Sequence, residues 1–141
     1  MSNSLPTAVR LVEVGPRDGL QNEDRVLPTE RKIELVGRLA ASGFRRIEVS
    51  SFVSPRAVPQ LADADAVFQG MVRRPGVTYA ALVPNLRGME RAVAARADEA
   101  NLVISASESH NRANLRMSRE ASLRAIREAA ALATTAGMRV A

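Results

Sequence analysis

The order of apolar runs along the chain is the strongest constraint on its fold. Short runs rich in β-branched residues alternate with longer stretches in which apolar residues recur at helical spacing. Strands are predicted at residues 9–14, 46–50, 77–83 and 101–106, and a fifth is predicted to begin within 138–141. Strands that alternate with helices of this length pair in parallel through right-handed crossovers. The chain is therefore predicted to be an α/β protein, either a doubly wound sheet or a (β/α) barrel.

Helices are predicted between these strands. The first runs over about 29–42, with Thr29 as its N-cap and Gly43 as its stop, and the second over about 61–72. A third begins after Asn85, and the longest occupies about 118–136. The longest helix is predicted to bury a stripe of four apolar residues: Leu123, Ile126, Ala130 and Ala133.

The length of the chain limits how much of a barrel it can form. A (β/α) barrel needs eight strand–helix units and about 250 residues, whereas this chain has 141 residues. Four units and the start of a fifth strand correspond to half of a barrel, and no linker or low-complexity segment divides them. We expect residues 1–141 to be the amino-terminal half of a single barrel domain that stops before its active site is complete.

Composition and charge exclude several classes of protein. The absence of cysteine excludes disulfides and thiolate metal sites within this chain. The net charge is +5, but the arginines are interleaved with acids and aromatic residues make up only 3%, so nucleic-acid binding is not expected. The start of the chain has no apolar signal segment, and no apolar run approaches the roughly 20 residues of a membrane helix. We expect a soluble cytoplasmic protein without membrane contact.

The sharpest candidate site is the pair Arg17–Asp18, directly after the first predicted strand. In parallel α/β folds the chemistry lies at the carboxyl ends of the strands. An aspartate is a hard ligand suited to Mg²⁺ or Mn²⁺, and an arginine offers a fixed fork of donors to an anionic oxygen. The alternative is a tight turn formed by Pro16 and Gly19, in which Arg17 and Asp18 merely pair in solvent.

Glu48 is a second candidate because it lies in the middle of a predicted strand. An acid between Ile47 and Val49 is costly unless it is paired. Glu13 occupies the matching place in the first predicted strand, and arginines such as Arg46 or Arg17 could neutralise the two acids. The other interpretation of Glu48 is a carboxylate near a metal. The only histidine, His110, beside Glu108, is typical of a loop residue that forms hydrogen bonds rather than of a metal ligand.

Four segments of the sequence resemble the hydroxymethylglutaryl-CoA lyase family, whose members share an R-D-G signature and a pyruvate carboxyltransferase-like barrel. They are VEVGPRDGLQNE at 12–23, IEVSSFVSPRAVPQLADADAVF at 47–68, ALVPNLRGMERAV at 81–93 and SASESHNRANLRMS at 105–118. Together they span nearly the whole chain in the order found in the family. Among the two folds left open, the resemblance implies the (β/α)8 barrel.

The resemblance also implies an activity and roles for four residues. The family cleaves 3-hydroxy-3-methylglutaryl-CoA to acetyl-CoA and acetoacetate with a divalent cation, Mg²⁺ or Mn²⁺. Arg17 matches the arginine that holds the acyl carbonyl oxygen of the substrate, and Asp18 matches a metal ligand. Glu48 matches a glutamate of the active site, and Gln21 a polar residue that lines the same pocket.

Several family residues have no counterpart in this chain. The resemblance implies two further metal ligands in an H-x-H arrangement, an asparagine ligand and a loop cysteine, all expected beyond Ala141. We therefore expect the 141 residues alone to be inactive. Two alternatives stay open: a related acyl-CoA lyase or Claisen-type synthase, and a non-catalytic half barrel that forms a homo-oligomer through its open strand edges.

Overall fold

The computed structural model describes residues 5–141, which form a parallel sheet with helices packed on one face. The strands are β1 (Arg46–Ser51), β2 (Thr78–Leu82), β3 (Glu99–Asn101) and β4 (Arg139–Val140). The helices are α1 (Thr29–Ala41), α2 (Ala64–Gly70), α3 (Leu86–Ala94), α4 (Glu108–Leu115) and α5 (Arg119–Thr135). A π-helical turn, Gly15–Gly19, precedes α1, and a 3₁₀ turn, Pro59–Leu61, precedes α2.

The sheet has the strand order β1-β2-β3-β4, and every neighbouring pair is parallel. The predicted parallel α/β architecture, including the strand at the end of the chain, is therefore confirmed. Among residues 5–141 no helix has the length and apolar character needed to cross a membrane.

The two faces of the sheet differ in chemistry because side chains alternate along each strand. The face that packs against the helices is apolar, and Tyr79 and Val83 on β2 and just after it are fully buried there. The opposite face carries the charged residues of the strands. One register layer across it consists of Glu48, Ala80, Glu99 and Arg139. The polar face is thus the one that corresponds to the inside of a barrel.

Two strand predictions need correction. The strand predicted at 9–14 is reduced to one parallel bridge between Glu13 and Ile47. Only Glu13 forms backbone hydrogen bonds with the β1 segment, at 3.0 Å to Arg46 and 2.8 Å from Glu48, so no ladder develops. Val9 and Leu11 remain 75% and 70% exposed. The strand predicted at 101–106 is shifted, because β3 begins at Glu99 and ends at Asn101.

The helix predictions hold with four differences. The N-cap of α1 is Pro28 and not the predicted Thr29, which is the first helical residue and donates from its hydroxyl to Asp63. The helix predicted at 61–72 is a 3₁₀ turn followed by the shorter α2. Helix α4 was not predicted at all. In α5 the buried residues are Ser122, Ala129 and Ala133, while Leu123 is 44% exposed. Of the four residues predicted to be buried in this helix, only Ala133 is fully buried. The buried face of the helix is therefore turned relative to the predicted one.

We expect Gly88→Ala to destabilise the fold, because α3 and the loop after β1 meet at this glycine. A Cβ at Gly88 would lie 2.8 Å from the backbone oxygen of Phe52 and 3.2 Å from Cδ of Pro84. Backbone cannot rotate aside as a side chain can, and such overpacking costs about 1–3 kcal/mol. Gly37→Ala in α1 is the control, since nothing lies within 4 Å of its Cβ. The control should gain up to about 1 kcal/mol in helix propensity, and equal unfolding midpoints in urea for both variants would contradict the prediction.

Candidate functional site

The R-D-G segment adopts the π-helical turn Gly15–Gly19, immediately after the bridge at Glu13. The backbone N–H groups of Arg17 and Asp18 both donate to the carbonyl oxygen of Val14, at 3.0 and 2.7 Å. Turns of this kind are rare and are frequently found at functional sites. The turn presents the adjacent side chains of Arg17 and Asp18 at the carboxyl end of the strand position.

Arg17 connects two carboxylates. Its Nε donates to Oε1 of Glu48 at 2.6 Å, and its Nη1 donates to Oδ1 of Asp18 at 2.7 Å. The side chains of Arg17 and Glu48 are only 18% and 6% exposed, whereas that of Asp18 is 53% exposed. The sequence suggested Arg46 or Arg17 as the partner of Glu48, and the structure shows that the partner is Arg17. The arrangement holds a guanidinium at the rim with an accessible carboxylate beside it.

Both oxygens of Glu48 have a donor. Oε1 accepts from Arg17, and Oε2 accepts from Nδ2 of Asn101 at 3.1 Å. Asn101 is the last residue of β3, and its Oδ1 accepts from Nη2 of Arg46 at 3.2 Å. A carboxylate this deeply buried is tolerated because both of its oxygens are satisfied and a cation lies next to it. Sequence reasoning placed Asn101 in a strand but gave it no role.

A further set of polar residues, the amino-end layer, lies at the amino ends of the strands and shares Glu99 and Arg139 with the register layer of Glu48. It is built from the first residue of each strand: Arg46, Thr78, Glu99 and Arg139. Arg46 pairs with Glu99, and Nη2 of Arg139 donates to Oγ1 of Thr78 at 2.6 Å. A cleft of about 760 Å³ opens beside this layer. Because Arg46 contacts both Glu99 and Asn101, these residues form one network with Glu48, Arg17 and Asp18. The hydroxyl of Thr78 lies outside this network, since its hydrogen bond is with Arg139.

Other residues singled out in the sequence lie outside this network. Gln21 is half-buried just after the π-helical turn and forms no side-chain hydrogen bond to Arg17 or Glu48. Glu13 does not pair with an arginine, because its Oε1 accepts from the backbone N–H of Gly15 at 2.6 Å. His110 is exposed in α4, where its backbone N–H donates to Oγ of Ser107.

Glu108 is the first residue of α4, and its carboxylate stabilises this part of the fold. The backbone N–H of Arg119, at 3.0 Å, together with the charge of Arg112, lowers the pKa of this carboxyl below its ordinary value. Asn111 is fully buried beneath it and bonds Ser105, Met117 and Ser122. These contacts explain how a polar segment forms a helix, and they leave Glu108 no connection to Arg17.

The donor set for a cation is partial. Within the described part of the chain, no group of three or more His, Asp or Glu side chains could hold a metal ion. Asp18 is the one carboxylate of the network that is accessible, since Glu48 is buried and both of its oxygens are engaged. Asp18 therefore has the chemistry and exposure of a single ligand, not of a complete site.

Arg17 also keeps donor capacity for a ligand. Its Nε and Nη1 are engaged, but Nη2 donates no hydrogen bond within residues 5–141. A guanidinium fixed by two carboxylates and left with a free N–H group is preorganised to bind an anionic or developing anionic oxygen.

The chain matches one family model, described as HMGL-like, over residues 8–141. It is 50% identical over 121 residues to the human cytoplasmic 3-hydroxy-3-methylglutaryl-CoA lyase, a match that covers 86% of this chain and 33% of that protein. It is 52% identical over 120 residues to the 3-hydroxy-3-isohexenylglutaryl-CoA/hydroxymethylglutaryl-CoA lyase of Pseudomonas aeruginosa, covering 85% of this chain and 40% of that protein. The chain thus spans well under half the length of these relatives.

Solved structures agree with these matches. The HMG-CoA lyase of Bacillus subtilis superposes with a TM-score of 0.92 at 45% identity, over 96% of this chain and 45% of that one. An HMG-CoA lyase from Acinetobacter baumannii, solved in complex with coenzyme A and 3-methylmalate, superposes with a TM-score of 0.89 at 45% identity, over 93% of this chain and 43% of that one. The barrel alternative among the two predicted folds is confirmed.

Proposed function

The chain belongs to the HMGL-like family, and from this premise we propose that it supplies part of the active site of a carbon–carbon lyase acting on 3-hydroxy-3-methylglutaryl-CoA. The observation that carries the proposal is the guanidinium of Arg17, held between Asp18 and Glu48 with Nη2 free. The relatives named above are lyases of this class. Because the chain spans well under half of their length, the activity is proposed for the full-length gene product.

The proposed reaction breaks the bond between C2 and C3 of the acyl group. The C3 hydroxyl loses its proton to a base, and the oxygen electron pair forms the ketone of acetoacetate. The electron pair of the broken bond moves to C2 and onto the thioester oxygen, which gives the enolate of acetyl-CoA. This enolate then takes up a proton at C2 and becomes acetyl-CoA, so the proton balance closes.

Arg17 is proposed to bind the thioester oxygen and to stabilise the enolate through Nη2. A cation that is already oriented when charge develops need not reorganise, which is why such donors contribute strongly to catalysis. Glu48 is proposed to keep the guanidinium aimed, since a bond at 2.6 Å from Nε fixes the plane of the fork. Gln21, half-buried in the following turn, is proposed to line the acyl pocket.

A divalent cation, Mg²⁺ or Mn²⁺, is proposed to bind Asp18. Such a cation makes a coordinated hydroxyl more acidic, which is the chemistry needed at C3. The half-exposed carboxylate of Asp18 fits this requirement as one ligand, but hard cations take about six oxygen ligands. The remaining ligands would have to come from outside the described residues or from the substrate.

The direct test is cleavage of 3-hydroxy-3-methylglutaryl-CoA by the full-length gene product, with acetoacetate and acetyl-CoA measured as products. We expect activity with Mg²⁺ or Mn²⁺, loss of activity on chelation and its return on addition of metal. The Pseudomonas aeruginosa lyase is the positive control. A correctly folded protein that binds Mn²⁺ but releases no acetoacetate would remove the proposed reaction.

We expect Asp18→Asn to weaken metal binding more than it disturbs the fold. The substitution keeps the side-chain size and an oxygen that can accept from Nη1 of Arg17, but removes the charge that attracts the cation. The Mn²⁺ concentration for half-maximal activity should rise by on the order of tenfold or more. Asp24→Asn, an exposed aspartate after the same turn, is the matched control. An unchanged Mn²⁺ requirement in the Asp18 variant would exclude it as a ligand.

A second acyl group is worth testing because one relative, 52% identical to this chain, is named for 3-hydroxy-3-isohexenylglutaryl-CoA as well as for the methyl compound. Cleavage of both substrates should be compared in the same assay. A higher kcat/KM for the longer acyl group would assign the protein to a related acyl-CoA lyase on the same scaffold.

A further inference from the structure

We propose that Asn101 is a positioning residue of the lyase site, because its side chain links Glu48, and through it Arg17, to the amino-end layer of the sheet. The inference rests on the proposed function and extends it to a residue on β3, two strands away from β1. It starts from the chain of contacts that runs from Arg17 through Glu48 and Asn101 to Arg46.

The orientation of the Asn101 amide is fixed by chemistry. Arg46 can only donate, so the atom that faces its Nη2 at 3.2 Å must be the carbonyl oxygen Oδ1. The amide nitrogen then faces Oε2 of Glu48 at 3.1 Å and donates to it. Arg46 itself is held by Glu99, the first residue of β3. Arg46 therefore orients the amide group of Asn101, and this amide group in turn orients the carboxylate of Glu48.

This contact decides how Glu48 presents itself to Arg17. A carboxylate with a donor at only one oxygen can rotate about its terminal bond, since such torsions are broad. Here Asn101 donates to Oε2 and Nε of Arg17 donates to Oε1, so the rotation of the Glu48 carboxylate is restricted by a donor at each oxygen. The plane of the Arg17 guanidinium follows the carboxylate plane, because Nε donation constrains the fork. Asn101 thereby controls where the free Nη2 of Arg17 points, and it acts through Glu48.

A purely structural role predicts a different ranking of substitutions. If only shape mattered, Asn101→Asp, which keeps the outline of the side chain, would be mild. If donation to Glu48 matters, that variant places an acceptor with the same charge against Oε2 and should be at least as damaging as Asn101→Leu. Two cations contact the pair directly, Arg17 at Glu48 and Arg46 at Asn101. Glu99 pairs with Arg46, and Nε of Arg139 lies 3.9 Å from Oε2 of Glu99.

The test uses the full-length gene product and two readouts. The first is hydrogen exchange at Nε–H of Arg17, followed by nuclear magnetic resonance without substrate and assigned with an Arg17→Lys variant. Asn101→Leu removes the hydrogen bond from Asn101 to the charged Glu48. We expect this loss to speed the exchange of the Arg17 Nε–H by on the order of tenfold. The second is kinetics, where kcat should fall by on the order of tenfold in both variants with KM nearly unchanged.

Thr78→Val is the matched control. It removes a hydrogen bond of 2.6 Å between Arg139 and Thr78 on the same face of the sheet, outside the network of Arg17, Glu48 and Asn101. It should leave the Arg17 exchange rate and kcat at wild-type values, and thermal unfolding should show that all variants are folded.

The outcomes separate this inference from the proposed function. Asn101 variants that behave like Thr78→Val, in an active enzyme, would overturn the positioning role alone. A mild Asn101→Asp beside a harmful Asn101→Leu would also overturn it, in favour of packing. Faster Arg17 exchange in a protein without lyase activity would retain the structural link and reject the reaction.

Discussion

Arg17→Gln should lower kcat for cleavage of 3-hydroxy-3-methylglutaryl-CoA by about a thousandfold in the full-length gene product, with a smaller change in KM. Glutamine can still donate one hydrogen bond, but it carries no charge and cannot hold Glu48 and Asp18 together as the guanidinium does, at 2.6 and 2.7 Å. Removing one preorganised donor to a developing oxyanion costs on the order of a hundredfold to a thousandfold. The upper end applies here because the lost donor is a cation.

Arg17→Lys separates charge from geometry. Lysine keeps the positive charge but offers a single rotatable donor group instead of a planar fork, so it cannot donate to Glu48 and to a substrate oxygen in fixed directions. We expect this variant to recover only a small part of the lost rate. Arg127→Gln, on the exposed face of α5, is the control and should keep wild-type kinetics. If kcat of Arg17→Gln stayed within threefold of wild type, Arg17 could not be the oxyanion donor.

A loss of folding must be distinguished from a loss of catalysis in these variants. Without Arg17, Glu48 is left buried and keeps only Asn101 as a partner. Removing one member of a buried ion pair is destabilising, so thermal unfolding of Arg17→Gln is a necessary measurement. The double variant Arg17→Gln/Glu48→Gln removes the uncompensated charge, and it should recover stability without recovering activity. Recovery of both would mean that Arg17 serves the fold only.

The elements that the sequence predicted well are those fixed by local signals. Helix α1 spans Thr29–Ala41, close to the predicted range 29–42, although its N-cap is Pro28 and not the predicted Thr29. Gly43 follows with a φ of +106°, a conformation that suits glycine and ends the helix. The start of β4 near the end of the chain was predicted from its apolar residues. In each case residues within a few positions determine the outcome.

The elements that were missed depend on contacts distant in sequence. Helix α4 is polar, so its pattern is typical of a loop, and it is stabilised by the buried Asn111 and by the Ser107 cap. Residues 9–12 have a strand-like composition, but among the described residues β1 lies on only one side, and pairing is limited to Glu13. Propensity alone does not form a strand without a partner along its length.

The residues of the candidate site divide in the same way, into those marked by local sequence and those that depend on contacts distant in sequence. Arg17 and Asp18 could be singled out from position and chemistry, because they follow a predicted strand and carry opposite charges. The link from Glu48 to Asn101 could not be, since 53 residues separate them and only the parallel register of the sheet brings them together. Resemblance to a family supplied roles for single residues, but not the hydrogen bonds that connect them.

Asp63→Ala should lower the free energy of unfolding by about 3 kcal/mol, because it leaves a buried ammonium without its counter-ion. Lys32, the only lysine, has a side chain that is 4% exposed. Its Nζ donates to Oδ1 of Asp63 and to the backbone oxygen of Gln60, both at 2.6 Å. The pair ties α1 to the start of α2, and Thr29 adds a bond to Oδ2 of the same carboxylate at 2.7 Å. Breaking one side of a buried pair costs about 3–5 kcal/mol, and the lower value fits a partner that is partly exposed.

The double variant Lys32→Met/Asp63→Ala tests the reason for this loss. Methionine fills the space of the lysine stem without a charge, so removing both partners should cost less than Asp63→Ala alone. In thermal unfolding the single variant should melt about 10 °C below wild type, and the double variant between the two. Glu34→Ala, which breaks exposed pairs with Arg31 and Arg38 on the same helix, should change the midpoint by no more than about 2 °C. A double variant less stable than Asp63→Ala would show that the charge of Lys32 is not the cause, and that packing of the α1–α2 contact is.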